Sequence, residues 1–207
     1  MTALPMPDGG RAERILDAAD GVFGEVGFDA ANVRSIAERA EVNKALVFYY
    51  YGSKEALFER VLERYYSAHQ AALEGAIDPT LPVASQLHGL IDAYVDFVDA
   101  HRHYPRLVQR MVASGGPQTE LIRRTFEPLF GWTVRALEEV APAAGPLAAR
   151  QFFVTFSGAV INYFTYSGVL EPLWGSDPLA VAAVADRRAH LHWLVDVVVK
   201  ALVVEAG

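Results

Sequence analysis

The residues whose types and spacing could do chemistry lie between residues 34 and 54. Two short helical patterns occur there, separated by the three-residue turn Glu41-Val42-Asn43, and Lys44 begins the second pattern. Two helices joined by such a turn can place the second helix in the major groove of DNA. In that groove an ammonium group donates hydrogen bonds to guanine O6 and N7, and small apolar side chains contact the thymine methyl group. The segment therefore indicates contact with double-stranded DNA.

The elements that must position these side chains are predicted to be helices. Apolar residues recur at intervals of three and four, and alternating runs of β-branched residues are not found. Asn32 and Asn43 are the predicted N-caps of the two short helices. Gly27 ends the helix before them, and Ser53 caps a longer helix over residues 54–74. Later helices are predicted to begin at Pro82, Pro105, Gln118, Pro146 and Pro178. The predicted fold class is all-α, with about nine helices.

The chain also carries a series of short motifs, in unbroken order, over residues 11–57. They are Ile15-Leu16-Asp17-Ala18-Ala19, Phe23, Gly27-Phe28, Val33-Arg34, Ile36-Ala37-Glu38-Arg39-Ala40, Val42, Lys44, the aromatic run 48–51 and Gly52-Ser53-Lys54-Glu55-Ala56-Leu57. On these motifs the segment resembles the N-terminal domain of the TetR/AcrR family of transcriptional regulators. Glu41, Leu46 and Phe48 depart from the family, which commonly has glycine, a hydroxyl residue and tyrosine at those positions.

The resemblance implies an N-terminal three-helix helix-turn-helix domain, residues 11–53, after a flexible tail of residues 1–10. It also implies a C-terminal helical ligand-binding and dimerisation domain, residues 54–207, whose last two helices form a homodimer interface. A symmetric dimer matches a palindromic site with two half-sites. We therefore expect a sequence-specific regulator, in this family most often a repressor, that a small apolar or aromatic ligand releases from its operator.

Eight side chains are expected to contact the DNA. Lys44 can donate to guanine, while Ala45 and Leu46 can touch thymine methyl groups. Arg34 is long enough to reach a base or a phosphate. Two tyrosines and Lys54 match family positions that hold the DNA backbone, and Lys54 lies at a helix N-terminus, which favours phosphate. The full set is Arg34, Asn43, Lys44, Ala45, Leu46, Tyr49, Tyr50 and Lys54.

The net charge of -7 argues at first against nucleic acid, because DNA binding depends on neutralising phosphates. The charge is, however, unevenly distributed. Residues 34–54 contain four basic and two acidic side chains, so this segment carries +2 and the rest of the chain -9. A local basic surface can hold phosphates while the remainder is acidic. We therefore expect DNA binding that weakens clearly as salt is added.

The second half of the chain is predicted to hold a ligand pocket and the dimer interface. A plain helical core is also lined with aromatic side chains, and for any single residue this alternative is favoured over ligand contact. The pocket candidates are Tyr94, Phe97, His101, Met111, Phe126, Trp132, Phe153, Phe156, Asn162 and Tyr163. Asn162 is a polar amide in an apolar helix and needs a ligand or a neighbouring helix as its partner. The predicted interface residues are Val160, Phe164, Leu191, Leu194, Val195, Val198 and Leu202. Trp193, Val197 and Val204 form a second apolar stripe on the last helix.

Other classes of protein are disfavoured by the motifs that the sequence lacks. It has no Gly-x-Ser-x-Gly, no Gly-rich phosphate loop and no His-Glu-x-x-His, so neither an enzyme nor a cofactor is expected. The two His-x-His pairs diverge on a helix, and Cys is absent, so no metal site is expected. A helical protein-interaction module, or an activator without a small-molecule ligand, remains the alternative.

A cytoplasmic location without membrane contact is expected. Residues 1–10 have neither the basic start nor the apolar run of a signal peptide. Residues 151–170 form an uncharged run of transmembrane length, but eight of them are polar or glycine. This composition favours a buried helix over a membrane span.

Overall fold

The computed structural model describes residues 9–116 and 118–205. Within these ranges the chain forms nine helices and no strand, which confirms the all-α fold class. The helices are α1 (Gly9–Ala30), α2 (Val33–Arg39), α3 (Lys44–Tyr51), α4 (Lys54–Glu74), α5 (Val83–Ala100), α6 (His103–Ser114), α7 (Gln118–Glu138), α8 (Ala149–Trp174) and α9 (Val181–Glu205). The predicted tail lies outside the described residues over positions 1–8, and α1 begins at Gly9.

Side-chain caps begin the helices of the N-terminal segment, as predicted. The Asn32 Oδ1 atom accepts a hydrogen bond of 2.9 Å from the Ser35 amide at the start of α2. The Asn43 Oδ1 atom accepts one of 2.8 Å from the Leu46 amide at the start of α3. Ser53 caps α4 in the same way. These caps supply acceptors to N–H groups that have no partner within the helix, and so they set where each helix begins.

The predicted end of α1 is only partly right. Gly27 breaks the helical geometry with φ 82° and ψ 170°, and the helix then continues to Ala30. A positive φ is open to glycine at little cost because glycine has no Cβ atom. Gly27 is therefore a kink, and α1 ends one turn later.

Several later helix starts also shift from their predicted positions. Pro82 directly precedes α5 and Gln118 opens α7, as predicted. The helices α8 and α9 begin at Ala149 and Val181, each three residues after the proline predicted to start it. Proline suits the first turn of a helix but does not by itself begin one, and here a turn intervenes.

The first of two compact units contains residues 9–66 and 107–126 of the described chain. Three rings lie at its centre: Phe58 has its ring centroid 4.9 Å from that of Phe23 and 5.0 Å from that of Phe28. Ile36 of α2 and Val47 of α3 are buried, and α1, α2 and α3 contact one another. The apolar faces of the two short helices thus hold them at a fixed angle.

The second unit contains residues 67–106 and 127–205 of the described chain. Its helix α5 packs against both α8 and α9. The main core cluster consists of Ile91, Val95, Val98, Val160, Tyr163, Phe164, Val184, Leu191 and Val195. A smaller cluster is formed by Leu137, Ala149 and Phe152.

Four of the seven residues predicted at the dimer interface are buried in this core, so the prediction is corrected for these four. Val160, Phe164, Leu191 and Val195 are buried in the main cluster. The other three, Leu194, Val198 and Leu202, are half-buried and pack against the same two clusters. Helix α9 has two apolar stripes. The stripe that was predicted to contact a second subunit packs against α5 instead. The four buried side chains have almost no surface to offer a second subunit, whereas a place at the interface stays a prediction for the three half-buried ones.

The uncharged run of residues 151–170 lies within α8. Several of its side chains, including Phe152, Val160 and Phe164, are buried in the unit. Among the helices that the structure describes, none is long and apolar enough to cross a membrane.

Candidate nucleic-acid interface

The turn between α2 and α3 is tight and closes on the end of α2. The Glu41 amide donates to the Glu38 carbonyl at 3.2 Å, and the Val42 amide donates to the Ala37 carbonyl at 2.9 Å. Glu41 has φ 56°, and it is the one residue other than glycine with a positive φ in the described chain. The left-handed conformation costs a residue with a Cβ atom about 1 kcal/mol relative to glycine. Glu41 therefore adopts the left-handed conformation that glycine usually supplies in such a turn, and its backbone is strained.

Helix α3 has one buried and one exposed face. Val47 is 2% exposed and anchors the helix in the unit. Lys44 and Ala45 are exposed, and the residues Phe48 and Tyr49 are 40% and 50% exposed. Of the predicted contacts on α3, Leu46 and Tyr50 are half-buried beside this face. Helix α3 thus exposes a cation and two aromatic rings to solvent. The buried Val47 and the Asn43 cap hold the helix in place.

Phe48 is a candidate contact that sequence reasoning missed. Its ring centroid lies 5.5 Å from the Lys44 ammonium nitrogen, so cation and ring share one exposed surface. The sequence indicated only that Phe48 lacks the hydroxyl group of the tyrosine that the family commonly has at this position. The i, i+4 spacing of Lys44 and Phe48 is the signal that could have indicated the pair.

Lys54 is not arranged as the predicted phosphate contact. Its ammonium group donates to the carbonyl oxygens of Phe28 at 2.8 Å and Ala31 at 2.9 Å, and more weakly to that of Asp29 at 3.4 Å. A lysine has three N–H donors, so these carbonyls at the end of α1 account for all of them. The last carbonyls of a helix lack partners within it, and a cation there is favoured. We correct the prediction: Lys54 joins the start of α4 to the end of α1.

Both arginines of the segment are also bound within the protein. The Arg34 guanidinium donates to Glu38 at 2.9 Å, and that of Arg39 forms two hydrogen bonds of 2.8 Å with Glu25. A Cβ atom at Gly21 would lie 2.7 Å from Arg39 Nη1, so glycine there lets the guanidinium pass across α1. Three of the four bases counted in the sequence are thus engaged within the protein, which leaves Lys44 as the base on the exposed face of α3.

Two sets of long-range hydrogen bonds join α1 to α4 and to α3 within the first unit. Arg64 of α4 donates to three carboxylates on one face of α1: Glu13 at 2.9 Å, Asp17 at 2.6 Å and Asp20 at 3.3 Å. The Tyr51 hydroxyl donates to the Ala12 carbonyl at 2.8 Å, and burial raises its pKa. Tyr51 therefore directs its hydroxyl into the protein.

The predicted pocket residues are distributed over both units. Met111 and Phe126 belong to the first, where the Phe126 ring lies 5.3 Å from that of Tyr66. Tyr163, in the second unit, is buried and donates to the Pro178 carbonyl. Asn162 is exposed on α8, so burial does not require a partner for its amide. The remaining candidates of the second unit, which are half-buried or buried there, are Tyr94, Phe97, His101, Trp132, Phe153 and Phe156.

His69 is a buried side chain of the second unit that the sequence did not single out. Its imidazole is stacked on the rings of Tyr94 and Phe97, with centroid distances of 4.8 and 4.6 Å. His101 lies next in the stack, 4.3 Å from Phe97. Burial lowers the pKa of His69 to about 3, with a smaller contribution from His101. The imidazole is therefore neutral over the physiological range.

The outer faces of α8 and α9 carry exposed apolar side chains. On α9, Trp193 is 58% exposed and Val197 is also exposed. On α8 the exposed set is Val154, Tyr166, Val169, Leu173 and Trp174. Within the described ranges, no group of three or more His, Asp or Glu side chains could hold a metal ion.

Comparison with known proteins places this arrangement among regulators. A family model described as bacterial regulatory proteins, tetR family, matches residues 15–61. The chain is 40% identical over 187 residues to the HTH-type transcriptional repressor NicS of Pseudomonas putida, covering 88% of this chain and 86% of that protein. It is 29% identical over 160 residues to the A-factor receptor protein of Streptomyces griseus, covering 70% of this chain. The match spans 51% of that receptor, and it spans about half the length of several other curated relatives.

A solved structure supports the fold independently. The fatty acid degradation regulator FadR from Bacillus halodurans superimposes with a TM-score of 0.68, covering 90% of this chain and 97% of that one. The two sequences are 19% identical. At this identity the likeness concerns the arrangement of helices alone.

Proposed function

The chain belongs to the tetR family of bacterial regulatory proteins, and we propose that it is a DNA-binding transcriptional regulator that reads its operator with α3. The observation that carries the proposal is the exposed face of α3, on which Lys44, Phe48 and Tyr49 stand out from a capped and anchored helix. A recognition helix needs just this combination of rigidity and exposed donors and apolar groups. Similarity to a repressor along most of both chains favours repression as the direction of control.

The active form in this proposal is a homodimer on a palindromic operator. Its interface would be the outer apolar stripe of α9 with that of α8, including Trp193, Val197 and Tyr166, in place of the buried residues first predicted. Apolar side chains scattered singly on a surface need no explanation, but a row of large ones on two helices favours a protein partner. A second copy is the simplest partner because it repeats the recognition helix for the second half-site.

Release from DNA by a small apolar or aromatic ligand completes the proposed function. Support comes from the half-buried aromatic side chains of the second unit, such as Tyr94, Phe153 and Phe156. The name of one relative, the A-factor receptor protein, adds support, since it identifies that relative as a receptor. The proposal assigns ligand binding to residues 54–207, and DNA binding to residues 11–53.

Selection from a library of random DNA duplexes tests the function directly. The wild-type chain is expected to enrich one palindromic sequence, and the double variant Lys44→Ala, Tyr49→Ala is expected to lose it while keeping its helical content and melting temperature. Arg123→Ala removes an exposed basic side chain of α7 and serves as the matched control. Failure of the wild type to enrich any sequence would overturn the proposal. Transcription in vitro from a promoter carrying the selected site then distinguishes a repressor from an activator.

A further inference from the structure

Phe48 is an exposed aromatic residue of α3, and its ring lies under the ammonium group of Lys44. It lies next to Val47, which is buried, yet Phe48 itself is 40% exposed. Exposed benzyl groups cost free energy in water, because apolar area that could be buried stays hydrated. On the helix that faces the major groove, a contact made only in the complex accounts for such a ring.

The chemistry of the neighbouring groups limits which bases this face can read. Lys44 carries donors only, and its ammonium lies over the Phe48 ring. Ala45 adds a methyl group, and the side-chain Oδ1 atom of Asn43 accepts a hydrogen bond from the Leu46 amide. No carboxylate is present between residues 43 and 51. The face therefore suits base edges with acceptors and methyl groups, and it offers little to the amino group of cytosine.

Resting on the proposed function, we propose that Phe48 determines operator specificity by packing against a thymine 5-methyl group beside a guanine bound by Lys44. The Lys44 ammonium lies 5.5 Å from the ring centroid. This distance corresponds to about one or two base-pair steps of ~3.4 Å. The two side chains can therefore read the same or adjoining base pairs. Phe48 lacks the hydroxyl group of the tyrosine that the family commonly has at this position. The tip of its ring is therefore wholly apolar, which fits a methyl group better than a phosphate oxygen.

Replacement of single thymines by deoxyuridine in the selected operator tests this contact without altering the protein. Deoxyuridine pairs like thymine and lacks only the methyl group. Each half-site is expected to contain one thymine whose single replacement lowers the affinity of the wild type about fourfold, which is the effect of one buried methyl group. With Phe48→Ala the same replacement is expected to have no further effect. With Lys44→Ala the methyl effect is expected to persist while the preference for guanine over 7-deazaguanine is lost.

The outcomes separate this inference from the function on which it rests. If deoxyuridine is harmless at every thymine while the wild type still binds its operator specifically, the role of Phe48 is wrong and the proposed function stands. If the wild type selects no duplex at all, the proposed function itself fails. An unchanged deoxyuridine effect in Phe48→Ala, with a wild-type melting temperature, would assign the methyl contact to another side chain.

Discussion

The ammonium group of Lys54 lies 4.4 Å from the centroid of the Phe28 ring and 2.8 Å from the Phe28 carbonyl oxygen. One lysine thus caps the end of α1 electrostatically and covers an aromatic ring of the core. Both contacts join the first residue of α4 to the element that supports α2 and α3. The position of the helix-turn-helix relative to α4 consequently depends on a side chain to which the family resemblance assigns a contact with the DNA backbone.

Lys54→Met is therefore expected to lower the free energy of unfolding by about 2 kcal/mol, the usual range for hydrogen bonds to a charged group. The measurement is denaturant unfolding. The slope of log K against log salt for operator binding is expected to stay unchanged, since removal of a phosphate-binding cation from each subunit of the proposed dimer would reduce its magnitude by about 1.8, which is ~0.9 per cation. A slope reduced by that amount, without loss of stability, would restore the phosphate role.

Glu41→Gly is expected to stabilise the protein by about 1 kcal/mol, because glycine adopts φ 56° without the strain of a Cβ atom. Glu41→Ala is the matched control, since it removes the same carboxylate and keeps the strain. Chemical denaturation of both variants is the measurement. A glycine variant less stable than the alanine variant would show that the turn stores no strain.

His69 is expected to make the folded state sensitive to acid. Its pKa is about 3 in the folded protein, below the ordinary value of 6.5, so the unfolded chain binds more protons. The stability is therefore complete above pH ~6.5 and falls by about 1.4 kcal/mol per pH unit as the pH approaches 3.

His69→Phe keeps an aromatic ring in the stack and is expected to flatten this dependence, as followed by melting temperature between pH 7 and 4. The exposed His190 supplies the control, because His190→Phe removes a histidine that faces solvent. Parallel pH profiles for wild type and His69→Phe would contradict the burial of a neutral imidazole.

Trp193→Glu with Val197→Glu is expected to yield a monomer of 22.6 kDa by sedimentation, against a dimer for the wild type. The charges would lie in the apolar interface that we propose, where an unpaired carboxylate is strongly disfavoured. Val112→Glu places the same charge on an exposed valine of α6 and is expected to remain dimeric. A double variant that sediments as the wild type does would exclude this face as the interface.

The features that the sequence determined by itself are local ones. Asn32 and Asn43 each cap a helix through a hydrogen bond to an amide three residues away, so the two caps could be predicted from residue type and order. The position of helix α3 followed from the same local signals and from motifs within 47 residues, 11–57. All-α architecture followed from apolar spacing, which reports the helix period directly.

Only the tertiary structure decided which face or group each side chain meets. Lys54 bonds carbonyls that lie 23 to 26 residues earlier in the chain, and no local pattern indicates that distance. On α9, Leu191 and Trp193 belong to two apolar stripes of similar composition, and packing against α5 and α8 buries the first and leaves the second in solvent. The spacing of apolar residues indicates that a helix has an apolar face. Which face is buried depends on the helices that pack against it in the folded chain.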